Sequence, residues 1–324
     1  MTFLIAMPAI APVAGETLPE LPALTQLLQG ATRLPAASDW RSGVQAALGL
    51  GEAGGAPALM AAHAVTGLIT GSSLCLATPV HVVAGISRMF LAPADSVALA
   101  ADERESLRLA FNAEFGAADV QLHAAGTGWL LQAPFASAAT DADPAGLGGA
   151  ALARAAASTS PARSLRRLGA EVEMWLATLP LNAAREKRGA PPINCFWFWS
   201  GVQPVTLPPP AKTSGDLFSN LPADAWLAGL AAHCGRSLRQ ASGWADVRAH
   251  PQAAVILQPP ELGDVRRLLP AWETAWFEPL WRDLAARQLP ALRLQIGPSA
   301  WQLPAPRLTR WLRRAQPWWQ AVSA

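Results

Sequence analysis

Residues 180–201 read PLNAAREKRGAPPINCFWFWSG, and this stretch decides how the chain is organised. A polar, charged turn (Asn182, Arg185, Glu186, Lys187, Arg188) leads through Gly189 and Pro191-Pro192 into an aromatic run, Ile193 to Trp199. Seven residues are too few for an independent helix, and alternation along a strand would send Ile193, Cys195, Trp197 and Trp199 to one face and Phe196 and Phe198 to the other. Both faces are then apolar, which predicts a central strand covered by helices on each side. Asn194, at the start of that strand, must satisfy its amide locally or line a site. The plainer alternative is that Asn182, Arg185 and Asn194 pin a tight connection, since Asn, Gly and Pro are ordinary turn chemistry.

Outward from this stretch the chain alternates strands and helices. Phe3 to Met7 is a fully apolar strand closed by Pro8. Leu21, Leu24, Leu27 and Leu28 have helical spacing, and Asp39 is placed to cap a helix running to Leu48. Ala58 to Leu68 is a further helix; Ser73 to Ala77, His81 to Ala84 and Arg88 to Ala92 are extended. Ser96 or Asp102 opens a helix carrying Leu107, Phe111 and Phe115. Val120 to Ala124 and Trp129 to Gln132 flank a Gly-containing turn as a hairpin. Residues 133–160, nearly all Ala, Gly, Ser, Thr and Asp, predict a mobile surface loop. A helix with Leu165, Leu168, Val172 and Leu176 precedes Pro180. Beyond the aromatic strand, Pro222 and Asp224 open a helix to His233, Ala253 to Leu257 is a strand, 261–288 is helical with breaks at Pro270 and Pro279, and Leu292 to Ile296 is a strand.

The expected class is therefore α/β, a layered mixed sheet with helices on both faces and an antiparallel hairpin included. Residues 1–202 form the main α/β domain. The proline-rich segment 203–212 is a linker or crossing, and 213–324 is a C-terminal α/β part that is either separate or completes the same domain.

With 324 residues, 51% hydrophobic and 15% charged, the chain can bury a large core and is not disordered as a whole. No apolar run is long enough to span a bilayer, and Phe3 to Ala14 lacks the basic residues that precede a secretory signal. Cys75, Cys195 and Cys234 are odd in number and far apart, which disfavours a disulfide framework or a zinc site and makes the cytoplasm the expected compartment. A net charge of +2 implies no nucleic-acid partner.

Gly49-Leu50-Gly51-Glu52-Ala53-Gly54 satisfies G-x-G-x-x-G, but a helix precedes it where dinucleotide binding needs a strand. There is neither a P-loop nor a G-x-S-x-G elbow. His63, His81, His123, His233 and His250 stand singly, without helical i, i+4 pairing. Glu171 and Glu173 cannot face the same way on one helix and form no dyad; Glu171 could reach Arg185 across the turn. Arg307, Arg310, Arg313 and Arg314 with Trp311, Trp318 and Trp319 read as a terminal helix that docks its tryptophans and solvates its arginines, rather than a nucleic-acid or membrane surface.

Over roughly residues 70–205 the chain resembles bacterial regulatory proteins of the RpfE type, whose members are often labelled cofactor-independent phosphoglycerate mutase-like. The family's D-P-V-H-L is met by Thr78-Pro79-Val80-His81-Val82, without its acid. Its L-N-x-x-F is met by Phe111-Asn112-Ala113-Glu114-Phe115, and a Trp in the following hairpin by Trp129. E-x-Q-M is met at Glu171 and Met174, with Glu173 for the Gln, while two family His positions fall on Ala177 and Leu179. The closing P-V-N-x-x-R-x-x-x-G and I-N-S-L-W-L-W-G-G match Pro180, Asn182, Arg185, Gly189, Ile193, Asn194, Trp197, Trp199 and Gly201. The resemblance implies a cytoplasmic regulator or binding protein, non-catalytic, on a degenerate phosphatase or phosphoglycerate mutase-like fold. Its site for a small anionic ligand or a protein partner would comprise Asn182, Arg185, Asn194, Glu171 and His81, with no cofactor. The alternative is a phosphoglycerate mutase-like phosphotransferase using Mn²⁺ or Mg²⁺. Such an enzyme carries a first metal-binding Asp at the end of strand one, where this chain has Ala6-Met7-Pro8-Ala9.

Overall fold

The computed structural model describes residues 3–10, 18–29, 31–50, 56–69, 71–85, 89–92, 97–116, 119–146, 151–152, 159–204, 207, 209–211, 213–250, 252–259, 265–289, 291–304 and 316–323. In chain order the first elements are β1 (Phe3–Met7), α1 (Pro22–Leu28), β2 (Thr32–Leu34), α2 (Trp40–Ala47), α3 (Pro57–Ala62), β3 (Leu74–Val80), β4 (Val82–Ala84) and β5 (Met89–Leu91). Next come α4 (Ala101–Phe115), β6 (Gln121–Ala125), β7 (Gly128–Gln132), β8 (Ala151–Leu152), α5 (Ser160–Thr178), α6 (Pro180–Lys187) and β9 (Cys195–Val202). The last third holds β10 (Leu217–Ser219), α7 (Ala225–Cys234), β11 (Leu238–Gln240), α8 (Trp244–Val247), β12 (Ala254–Ile256) and α9 (Val265–Trp272). It ends with α10 (Glu278–Ala285), β13 (Ala291–Ile296), β14 (Ser299–Pro304) and α11 (Trp318–Ser323).

The protein is a mixed α/β fold with two main sheets. The larger has strand order β11-β10-β12-β1-β13-β14-β2. Its first five strands run parallel, and β14 and β2 complete it in antiparallel pairing. β1 is apolar throughout because it is covered twice. Phe3, Ile5 and Met7 pack on one face with residues of α1, α8, α9 and α10; Leu4 and Ala6 pack on the other with α2, α3 and α7. β1 lies between β12 and β13, so residues from 213 onward complete the sheet that the first strand begins. The boundary expected near 203–212 therefore does not separate two sheets.

The smaller antiparallel sheet, β6-β7-β3-β9, belongs to the middle of the chain. One face meets α4 and α5 through Phe111, Val172, Phe196 and Phe198. The other meets α3 through Leu74, Leu76, Leu130 and Trp199 against Ala58, Ala61 and Ala62. α3 and α7 thus form a layer between the two sheets, and small side chains allow that close approach. A β-carbon on Gly229 would lie only 1.9 Å from the Met60 carbonyl oxygen.

From Cys195 to Trp199 the aromatic strand alternates as predicted, but Ile193 precedes it and packs with Phe196 and Phe198 rather than with the tryptophans. The strand also lies at an edge of its sheet, since β9 pairs with β3 alone among the named strands. The edge is covered instead: Thr140 bridges to Trp199, and its carbonyl accepts from the Ser200 amide at 2.7 Å. That cover comes from the segment expected to be a mobile surface loop. Ala133 and Ala136 are fully buried, and a β-carbon on Gly201 would strike the Ser137 carbonyl at 2.7 Å. Alanines have little area to bury, but their size admits backbone beside a sheet edge. Pro270 lies inside α9 without ending it; a π turn over Glu273–Phe277 carries the helix on into α10. Among the described residues no helix is long and apolar enough to cross a membrane. Most of the G-x-G-x-x-G stretch, from Gly51, and the C-terminal arginines lie outside the described residues. Trp318 is docked in the core, its Nε1 donating to the Pro19 carbonyl at 3.0 Å.

Candidate functional site

The residues singled out around the aromatic strand are bonded to backbone. Asn182 is buried; its Nδ2 donates to Leu176 O (2.8 Å) and Ile193 O (2.7 Å), and its Oδ1 accepts from Ile193 N (2.8 Å). Asn194 Oδ1 accepts from Val82 N (2.7 Å) and its Nδ2 donates to Val82 O (2.8 Å). Arg185 is 1% exposed, and it donates to Pro191 O (2.9 Å), Ala98 O (3.3 Å) and the Glu103 carboxylate (3.2 Å). Its acid is Glu103 of α4, not Glu171, which pairs with Arg167 one turn earlier on the surface of α5. Arg188 shares Glu103; partial burial pushes that carboxyl up, but the Ala100 amide and the two guanidinium groups together hold it below its usual range. His81 Nδ1 lies 2.8 Å from Pro192 O. The structure thus brings Asn182, Arg185, Asn194 and His81 together around the 191–194 turn and leaves Glu171 apart. The polar groups of the asparagines and the Arg185 guanidinium are engaged by main chain or by Glu103, which is the pinning arrangement.

A cavity of about 440 Å³ lies elsewhere, between the two sheets. One wall is the C-terminal ends of three parallel strands: Pro8-Ala9 after β1, Leu221-Pro222 after β10, and Gln258-Pro259 after β12. In open α/β sheets this rim is where loops diverge and leave a crevice for ligands. The facing wall is the smaller sheet, through Leu76 to Pro79 of β3, Trp129 of β7 and Trp199 of β9. The aromatic strand therefore does reach a cavity, but with an indole and not with its flanking polar residues.

The charged group in that cavity is Arg41, in the first turn of α2. Asp39 holds the turn by accepting from Arg41 N (2.8 Å) and Ser42 N (3.1 Å). The guanidinium carbon lies 4.8, 5.3 and 5.7 Å from the ring centres of Trp40, Trp199 and Trp226, within cation–π range of each. Nη1 donates to Asp143 at 2.6 Å. Burial works to lower the Arg41 pKa, but Asp143, Asp224 and Asp39 together raise it, so the group stays a cation. Asp224 caps α7, accepting from Leu227 N at 2.7 Å. Burial raises its carboxyl above the usual value although Arg41 pulls the other way. Two donors in this wall, Arg41 Nε and Trp226 Nε1, are buried with no acceptor among the described residues. No motif marks Arg41, because its three indoles come from residues 40, 199 and 226 and only the fold joins them. The available signal was an Arg at N2 of a capped helix beside a Trp, which is common on surfaces.

Such a site can hold a small molecule through the guanidinium and the indole faces. The carboxylates of the cavity flank a guanidinium already in place, a donor set unsuited to a pair of divalent metals, which need several converging oxygens. Among the described residues no three His, Cys, Asp or Glu side chains are gathered as a metal site would require. Burial pushes the Cys195 thiol up to about 12 and raises the fully buried Cys75 as well, so neither is a thiolate near neutral pH.

No family model matches the chain, and no curated protein matches it. Among solved structures it is similar to the cofactor-independent phosphoglycerate mutase from Thermoplasma acidophilum DSM 1728, at 14% identity over 94% of this chain and 89% of that one, with a TM-score of 0.35. It is also similar to the PH0037 protein from Pyrococcus horikoshii, at 12% identity over 94% of this chain and 87% of that one, with a TM-score of 0.46.

Proposed function

We propose that this protein is a non-catalytic cytoplasmic binding protein, a regulator of the RpfE type, whose ligand is a small molecule held in the cleft around Arg41. The observation that carries the reading is the cavity itself: about 440 Å³ at the C-terminal rim of a parallel sheet, mostly apolar, with one desolvated cation set among indoles. That combination of volume, apolar walls and a few placed polar groups characterises small-molecule sites. The regulatory assignment rests on the sequence pattern from Thr78 to Gly201. Asn182, Arg185 and Asn194 support it indirectly, as the pins that hold the Trp199 strand against the cleft.

Four tryptophans line the cavity, so occupancy changes the intrinsic emission. A screen of small amphipathic molecules by thermal shift and tryptophan fluorescence is expected to find ligands that do both. At a hundredfold excess over Kd the stabilisation is about 2.7 kcal/mol. Val97→Trp, which fills the cavity, and Arg41→Met are both expected to remove the response. With Mn²⁺ or Mg²⁺ the purified chain is expected to leave 3-phosphoglycerate unchanged. A chain that no small molecule stabilises, or that turns that substrate over, would end this reading.

A further inference from the structure

Arg41 and Trp226 both line the cleft, and each carries a buried N–H, Arg41 Nε and Trp226 Nε1, with no acceptor among the described residues; the Arg41 guanidinium carbon lies 5.7 Å from the centre of the Trp226 ring. A buried donor left without a partner is costly, so such a pair marks a place where an acceptor belongs. Both groups only donate, which calls for oxygen lone pairs from the ligand. Asp143 engages Nη1 and leaves the Nε edge, the edge on which a guanidinium takes a carboxylate side-on. Much of the remaining lining is apolar, with Leu76, Val97, Leu99 and Leu221 beside the Trp129 and Trp199 rings.

Charge narrows the class. The ionisable side chains lining the cavity are Arg41, Arg104, Asp143 and Asp224, whose formal charges cancel. A phosphate dianion would bring two negative charges beside two carboxylates in a desolvated space, whereas a carboxylate brings one.

Given that the cleft is a ligand site, we propose that its ligand is an organic monocarboxylate. The carboxylate sits on the Nε edge of Arg41 and the Trp226 indole N–H, and an aliphatic or aryl body lies along the Leu76, Val97 and Trp199 wall. Asp143 limits affinity by placing a like charge next to the bound acid.

The test compares octanoate, 1-octanol and octyl phosphate on the full chain at neutral pH, by calorimetry and tryptophan emission. Octanoate is expected to bind at least tenfold tighter than either of the others. Arg41→Gln erases that preference, Trp226→Phe weakens octanoate several-fold while keeping the ring, and Asp143→Asn tightens it several-fold. The last change is a gain that loss of structure would not produce. Equal binding of octanol and octanoate overturns carboxylate recognition and leaves the cleft as an apolar site; preference for the phosphate overturns it in favour of a dianion. Silence from all three while other screened molecules bind overturns this ligand class alone, and silence from every molecule overturns the ligand site as well.

Discussion

Asparagine carries on its side chain the same donor and acceptor as a peptide group, and each of the four asparagines in this chain uses both against a single residue's backbone. Asn112 takes the N–H and C=O of Leu122, Asn182 those of Ile193, Asn194 those of Val82, and Asn220 those of Gln258. Each acts as one rung of a ladder where no strand is available, so three of the residues that carry the family resemblance are pins. Histidine is the other residue type whose placement matters here. His63 and His233 are 170 positions apart in sequence yet have ring centres 4.3 Å apart, with His63 Nε2 and His233 Nδ1 buried and without a partner among the described residues. Burial first, and the neighbouring imidazole second, push His63 down to about 4, and burial lowers His233. A His whose folded pKa lies below its unfolded value of about 6.5 binds fewer protons in the folded state. Its stabilising contribution is therefore complete above pH ~6.5 and lost as pH falls toward 4. The melting temperature is expected to fall across that window, and His63→Leu to flatten the fall. Parallel pH profiles for the two proteins would contradict the assignment.

At the scale of elements, the contact between α3 and α7 sets how closely the two sheets approach. α3 has no side-chain cap of its own, because Ala56 stands at the N-cap. Ser200, in the left-handed region at φ 58° just after Trp199, supplies the missing acceptor to Ala58 N at 2.9 Å. Strand β9 thus caps a helix in the neighbouring layer, a role that a period-2 pattern cannot announce. Gly229 is the matching feature on α7. Gly229→Ala would place its β-carbon 1.9 Å from Met60 O and 2.7 Å from Ala61 Cα, both backbone, so the helices must separate. The expected loss is about 2 kcal/mol or more by denaturant melt. Gly169→Ala on α5, where a β-carbon meets nothing within 4 Å, is expected to add up to about 1 kcal/mol from helix propensity alone. Equal effects at the two sites would mean that α3 and α7 are not in backbone contact.

For the whole molecule, the larger sheet joins strands from both sides of residues 203–212. β1 pairs with β12 from Leu4 to Ala6 and with β13 from Phe3 to Met7, so residues 1–202 alone leave an apolar strand bare on both edges. Expressed alone, that fragment is expected to aggregate or melt without a cooperative transition, by size-exclusion chromatography and circular dichroism. A monomeric, cooperatively folding fragment would require a different sheet order. Much of the local structure was legible in the sequence. The unbroken apolar run Phe3 to Met7 marked a buried strand, Asp39 marked a helix start, and the two faces of Cys195 to Trp199 followed from alternation, all properties of neighbours a few residues apart. Tertiary structure alone decided that β9 lies at a covered edge, that the alanine-rich segment supplies the cover and Asp143, and that Trp40, Trp199 and Trp226 surround Arg41. The physical reason is one of range: periodicity and capping are fixed by contacts within a turn or a strand, whereas a cleft is fixed by which distant surfaces the core draws together.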